Sequence, residues 1–346
     1  MLRESRYELK SILEDVPGVT GAAAGAPGTP QAFGSDNPAS GLTIRGIQSN
    51  AGAGGSITST AAAAAIYVDD IYNGIGGGYD IDRVEVLRGP QGTLYGRSAT
   101  AGLVAIHTGD PDTKKLSGEA TAEFGSYDLR HYTGDANIPL IKDTLAVRVS
   151  GNSYQRDGYY SADGGAVSSK DLRVKALYTP TDNFSALLGY AQEYTVTHTG
   201  GIAIGQVGSP ANFIYTSPAV SPPGKNSSHQ YWANFNLNLG PAVITYIPAY
   251  RTWHQNGTTY LRSTGSGGFN ANQTIYTPKD DFLTQELRVR SIDSDAKLKW
   301  QGGFLYYDNT LSNANNMFLF PPTARSLPPQ WLHFRVHSTA LLPRWD

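Results

Sequence analysis

At 346 residues the chain has room for two domains or one large β structure, and a formal net charge of -2 with a sequence pI near 6.4 gives no basic footprint for nucleic acid. The absence of Cys excludes a disulfide framework, a thiolate metal site and a cysteine nucleophile. No apolar run approaches the roughly 18 residues of a membrane helix, but that test is blind to barrels, whose strands need only about 9 to 11 residues with alternate positions apolar.

Taken in order, the N-terminus shows no positively charged segment followed by an apolar core, so no signal peptide is visible. Tyr7 to Val16, with Leu9, Ile12, Leu13 and Val16 on one side, predicts a short amphipathic helix that Pro17-Gly18 ends. From Gly21 to Thr60 the chain is rich in Gly, Ala, Ser and Pro and reads as loop, interrupted by a short strand from Leu42 to Ile47. Gly74-Ile75-Gly76-Gly77-Gly78 is not a dinucleotide fingerprint, because Tyr79-Asp80-Ile81-Asp82 leads into a strand and not a helix; a mobile turn is expected there. In that strand Val84 and Val86 share one face and Arg83 and Glu85 the other. It stops at Gly89-Pro90-Gln91-Gly92, where Pro and Gly occupy positions a β-turn favours, and a further β segment follows from Leu103 to Thr108.

After Pro111 the texture changes to long alternating segments, predicting strands near 116-126, 129-139, 144-155, 170-179, 184-197, 229-238, 243-256, 281-292, 297-309 and 330-341. Their links alternate. Ile138 to Asp143, Thr179 to Asn183, Leu239 to Ala242 and Ile292 to Ala296 are short, whereas Asp157 to Ser169, His198 to Ser228, Gly257 to Asp280 and Thr310 to Pro329 are long. Only the link around Tyr127 departs from the alternation. Short periplasmic turns and longer extracellular loops give this pattern in an outer-membrane barrel. The faces agree: Leu287 and Val289 oppose Glu286, Arg288 and Arg290, and Leu145, Val147 and Val149 oppose Thr144, Arg148 and Ser150. In Lys297 to Tyr306, Leu298, Trp300, Phe304 and Tyr306 share a face. A charge facing lipid at the midplane costs about 2 to 4 kcal/mol, so the charged faces are expected to line the lumen.

No catalytic residue, metal site or cofactor emerges. His333 and His337 have an i, i+4 spacing that suits a zinc site on a helix, but they lie in a predicted strand. No Gly-x-Ser-x-Gly elbow is present, and the carboxylates form no pair that stands apart from turn caps and lumen charge.

The run from Ile81 through Arg88-Gly89-Pro90-Gln91-Gly92-Thr93-Leu94-Tyr95-Gly96-Arg97 to Thr100 resembles the plug signature of TonB-dependent outer-membrane receptors. The resemblance extends to Ser11 to Val19, to Leu42-Thr43-Ile44-Arg45-Gly46-Ile47 and to Ile66-Tyr67-Val68-Asp69-Asp70, in the family's order. Its signature residues here are Arg45, Gly46, Asp69, Glu85, Arg88, Gly89, Pro90, Gly92, Tyr95, Gly96 and Arg97. Asp70 stands where Gly is usual, and Asp tolerates the positive φ that the turn requires.

The resemblance implies a mainly β chain: a small α/β plug domain over 1-112, followed by the first part of an antiparallel transmembrane β-barrel over 113-346. It implies uptake of a scarce ligand, first of all an iron-siderophore complex, across the bacterial outer membrane. The plug loops and loops 198-228 and 257-280 would bind the ligand, and TonB with ExbB and ExbD would act through a TonB box not visible here. It also implies plug and barrel charge pairs, of which Glu286 with Arg88 or Arg97 is the one expected. About ten strands against the family's 22 predict a piece truncated at both ends that cannot transport alone. A secreted β-rich binding protein or adhesin, and a polysaccharide-acting enzyme with a converging carboxylate pair, are the competing classes.

Overall fold

The computed structural model describes residues 19–21, 42–44, 47–48, 64–72, 74–89, 102–158, 165–198, 223–263, 270–277, 279–292, 298–320 and 330–345. Every regular element among them is a strand. The predicted helix at Tyr7 to Val16 and the signature residues Arg45, Gly46, Pro90, Gly92, Tyr95, Gly96 and Arg97 lie outside the described residues.

The N-terminal part forms two small sheets. β1 (Val19–Gly21), β2 (Leu42–Ile44) and β3 (Ile47–Gln48) make an antiparallel three-stranded sheet, so the strand expected from Leu42 to Ile47 is two short ones paired with each other. β4 (Ala64–Val68), β5 (Ile71–Tyr72), β6 (Ile81–Arg88) and β7 (Gly102–Thr108) make a second sheet in the order β5-β4-β7-β6. The central pair, β4 and β7, is parallel and buried on both faces, as the unbroken apolar runs Ala65-Ile66-Tyr67-Val68 and Leu103-Val104-Ala105-Ile106 require. At the edge, β6 half-buries Val84 and Val86 and exposes Arg83 and Glu85, the alternation read from the sequence. The turn between β4 and β5 puts positive φ at Asp69 (50°) and Asp70 (68°), the two-residue hairpin geometry that asparagine, aspartate and glycine favour.

The rest is one antiparallel wall. It comprises β8 (Ser117–Gly125), β9 (Leu129–Ile141), β10 (Leu145–Arg156), β11 (Val167–Thr181), β12 (Phe184–Thr197), β13 (Gly224–Asn238), β14 (Ala242–Ser263), β15 (Asn270–Tyr276), β16 (Lys279–Ser291), β17 (Gln301–Phe320) and β18 (Gln330–Trp345). Consecutive strands pair in a meander from β8 to β14, and β16, β17 and β18 continue it. The eleven strands exceed the ten predicted because residues 257–280 are mostly wall and not loop. β15 and β16 keep a single register against β14, with Gly257 opposite Tyr276 and His254 opposite Lys279, and a single register against β17. β15 ends at Tyr276 and β16 begins at Lys279. β17 begins at Gln301, so Leu298 and Trp300 precede the strand expected to hold them.

One face of the wall packs on the small sheet. Phe282 of β16 joins the core of Ala65, Tyr67, Tyr72, Leu103 and Ala105, and Ile71 and Ile75 pack on Ala191, Trp232, Ile247 and Ala249 of β12 to β14. The other face exposes Leu172, Leu188, Tyr231, Tyr250, Leu287 and Phe304. The predicted split therefore holds: Arg148, Ser150 and Glu286 face inward and Leu287 outward.

Trp232 lies flat across Gly189 of the neighbouring strand, where an added Cβ would come within 2.1 Å of the indole. Gly189→Ala is expected to cost about 1 to 3 kcal/mol by overpacking. Gly151→Ala, whose Cβ would meet only the Asp171 carbonyl oxygen at 3.5 Å, serves as the control. The loss of heat-resistant gel mobility in detergent reads the difference.

Candidate functional site

The segment 74–80, between β5 and β6, crosses from the small sheet to the inner face of the wall and is held there by side chains of four consecutive strands. Gly76 N–H donates to Glu193 Oε1 on β12 at 2.6 Å, and Ile75 N–H donates to Gln230 Oε1 on β13 at 3.1 Å. From β11, Arg173 donates to the carbonyl oxygens of Gly76 at 2.5 Å and Tyr79 at 3.0 Å. Its guanidinium also covers the Tyr79 ring at 4.7 Å. The turn expected to be mobile is thus the most heavily anchored part of the described N-terminal region. Its glycines serve close approach: Gly76 has φ +83° and its missing Cβ would lie 3.3 Å from Arg173.

Charge fixes the end of this strap. Asp80 accepts a fork from Arg148 of β10, Nη2 at 2.6 Å and Nε at 3.0 Å, and a third bond from Arg173 at 3.2 Å. Arg148 also reaches Asp135 of β9 at 3.2 Å. Burial raises the Asp80 carboxyl, but the bonds and charges of Arg148 and Arg173 outweigh it, and the net result lies below the ordinary value of 3.8. Burial pushes the Tyr79 phenol far above its usual range, against the pull of Arg173, so the ring stays neutral beneath the cation.

A second anchor lies one step along β11. Lys175 pairs with Asp69 at 2.9 Å and Asp110 at 2.9 Å, while Asp69 accepts from the Thr108 amide at 2.9 Å and hydroxyl at 2.7 Å. Arg173 and Lys175 are each 1% exposed, and a buried cation is tolerated only when it is paired. A third, looser contact joins Arg288 of β16 to Asp70 at 3.8 Å. Glu286, 4% exposed, accepts from Arg288 Nε and lines a small cavity with Tyr67, Asp70, Tyr72 and Thr284.

Of the residues singled out from sequence, Asp69 is in an anchor, Glu85 is exposed and pairs with Arg83 at 2.9 Å, and Gly89 ends β6 with φ +92°. Arg88 is exposed at the end of β6, and Glu286 accepts from Arg288. Sequence reasoning missed Asp80, Arg173, Lys175, Glu193 and Gln230. A signal for two of them was present: Asp171, Arg173 and Lys175 recur every second residue and so share the inner face of a strand whose other face is apolar.

A strap-and-wall arrangement of this kind, with a small mixed sheet seated by ion pairs on one face of an antiparallel meander, is a plug against a barrel wall. Residues 3–103 match the family model TonB-dependent Receptor Plug Domain, so this part of the chain is similar to the plug of TonB-dependent receptors. Among curated proteins it is 36% identical over 120 residues to the catecholate siderophore receptor Fiu of Escherichia coli K12, covering 33% of this chain and 15% of that protein. It is also 47% identical over 55 residues to the pesticin receptor of Yersinia pestis, covering 15% of this chain and 8% of that one. Among solved structures, the ferric yersiniabactin uptake receptor FyuA of Yersinia pestis shares its fold, with TM-score 0.63 and 16% identity over 96% of this chain and 58% of that one. The ferripyoverdine receptor of the Pseudomonas aeruginosa outer membrane does so with TM-score 0.61 and 12% identity over 80% and 42%. The chain covers 58% of the first of these receptor structures and 42% of the second.

Two outcomes follow from the anchor. Arg173→Ala leaves the buried carbonyls of Gly76 and Tyr79 without that donor and leaves Asp80 on Arg148 alone, and a loss of about 1 to 3 kcal/mol is expected. Hydrogen exchange at the Ile75 and Gly76 amides should then quicken about tenfold or more. The folded-state value of Asp80 is lowered, so its contribution is fully present above 3.8 and is lost as pH falls through the depressed value. Protection factors in 74–80 should hold from neutral pH to about 4 and fall below it, and Asp80→Asn should abolish that fall.

Proposed function

We propose that this chain is the plug and adjoining barrel wall of an outer-membrane receptor that takes up an iron-siderophore complex with energy supplied through TonB, ExbB and ExbD. The observation that carries the reading is the seat itself: the described part of the plug is held to the wall by polar anchors around Asp80 and Asp69, beside the apolar contacts of Ile71, Ile75 and Phe282's neighbours. Paired charges and backbone hydrogen bonds can be exchanged for water at modest net cost, so such an interface can be opened and remade. The relatives matched in the plug region are named for a catecholate siderophore and for pesticin, and the solved structures for ferric yersiniabactin and ferripyoverdine, which makes a ferric siderophore the first cargo to test.

In this reading the plug occupies 1-112 and the wall begins at 113, with its outer face in the lipid of the outer membrane. The plug loops and residues 198-228 contact ligand from outside, and a pull on the N-terminal segment shifts the plug between two states whose ligand affinities differ. A pairing of Arg88 or Arg97 with Glu286, which also accepts from Arg288, belongs to this proposal.

The test is accumulation of radioactive iron from ferric siderophores in an iron-starved, receptor-deficient Gram-negative host expressing the gene that carries this sequence. Accumulation that is abolished by loss of TonB is expected. No accumulation with any of a catecholate, a phenolate and a hydroxamate siderophore, or accumulation indifferent to TonB, overturns the reading.

A further inference from the structure

Residues 109–116 carry the chain from β7 to the first strand of the wall, and one side chain holds most of that crossing. Asn137 of β9 is 0% exposed and lies on the inner face, two residues from Asp135, which meets Arg148. Its ladder partner on β8 is Ser117, so it stands beside the point where the chain enters the wall. Asn137 Oδ1 accepts from the Asp112 amide at 2.8 Å, and Nδ2 donates to the carbonyls of Asp112 at 2.9 Å and Lys115 at 2.5 Å. A short carboxamide offers one acceptor and two donors without charge, so it can fill all three at full burial. Around it, Asp112 Oδ1 accepts from the Lys114 amide at 2.7 Å, and the Thr113 carbonyl accepts from the Asp143 amide, in the turn from β9 to β10, at 3.1 Å.

The plug side of the junction is fastened differently. The Thr108 carbonyl accepts from Lys175 Nζ at 3.3 Å, Asp110 pairs with the same ammonium, and the Gly109 amide donates to the Asp80 carbonyl at 2.9 Å. Up to Asp110 the chain is therefore tied to the seat around Asp69 and Asp80, largely through charge. From Asp112 onward it is tied to β9 and the turn after it, through neutral amides. Only Pro111 lies between, and it has no N–H to give to either side. The two sets of bonds share no side chain.

We infer that Asn137 latches the junction to the wall, so that the plug can leave its seat while residues 112–115 stay where they are, with Pro111 marking where the two part. The latch limits how far the plug travels. With Asp112 held, Thr108 at the end of β7 has four residues of chain to move on, an extended reach of about 14 Å. Without the latch the chain is free as far as Ser117, nine residues and about 30 Å. A short tether keeps Asp69 and Asp80 near Lys175, Arg148 and Arg173, so reseating is an intramolecular event at high effective concentration. Neutral bonds suit this task, because neither protonation of Asp80 nor an exchange of its cationic partners weakens them. Asn137 is a positioning residue: it acts on the plug only through the junction.

The inference takes from the proposed function only that the plug moves against the wall. Its test needs no uptake, so a chain that accumulates no iron leaves it unchanged. Hydrogen exchange is followed at single amides of the full chain folded in detergent. Ile75 and Gly76 report the seat; Lys114 and Asp143 report the latch, because their acceptors are Asp112 and Thr113 and not Asn137 itself. Asn137→Ala should quicken exchange at Lys114 and Asp143 about tenfold and leave Ile75 and Gly76 within about twofold, and Arg173→Ala should do the reverse. In the unaltered protein, which decides the matter if Asn137→Ala does not fold, urea should quicken the seat amides at concentrations that leave the latch amides unchanged. Exchange that quickens at both sets together in either variant, latch amides unmoved by Asn137→Ala, or a single urea dependence common to both sets overturns the inference.

Discussion

The Asp80 carboxylate between Arg148 and Arg173 is the interaction on which the architecture rests. Arg173 is almost wholly removed from water, and a guanidinium in that position must be neutralised and have its N–H groups filled. Asp80 and the carbonyls of Gly76 and Tyr79 do both. Those partners exist only if the strap crosses the gap and lies along the wall. The glycine run lets its backbone do so, and Ile71 and Ile75 then fall onto the apolar patch of Ala191, Trp232, Ile247 and Ala249. One buried cation thus dictates the path of the plug segment that rests on the barrel wall.

The same logic divides the wall into two environments. Inward positions are polar where they meet the strap backbone and apolar where they meet Ile71, Ile75 and the sheet core, as Trp232, Ile247 and Phe282 do. Outward positions are apolar through the middle of each strand and polar toward the long connections. Nothing in a water-soluble sheet calls for both patterns on the same residues in register across seven strands. A wall that holds a charged plug on one side and lipid on the other calls for both.

Much of this could be read from the sequence, because barrel strands are governed by a period of two and their ends by loop length. Strand positions followed from alternation, and inward-facing Arg148 and Glu286 followed from the cost of charge in lipid. Two things escaped. The stretch 257–280 reads as loop because its Gly, Ser, Thr and Asn content signals turn, yet ladder pairing overrides propensity once a neighbouring strand supplies the partners. The glycine run 74–78 reads as freedom when its purpose is closeness, and no local signal separates these, since the partners Arg173, Glu193 and Gln230 lie about a hundred residues or more along the chain. Glu286 shows the same limit: its inward face was legible, while the choice among several arginines as its partner depends on where the plug comes to rest.

The unbroken register through β14, β15, β16 and β17 also bears on how such a wall can change over time. Because every residue alternates between lumen and exterior, adding a single residue to either arm of the β14 and β15 hairpin would turn each side chain beyond it to the wrong side. Two added residues in each arm would only lengthen the wall outward by one pleat. Length variation in this part of the molecule is therefore tolerated in even, matched steps.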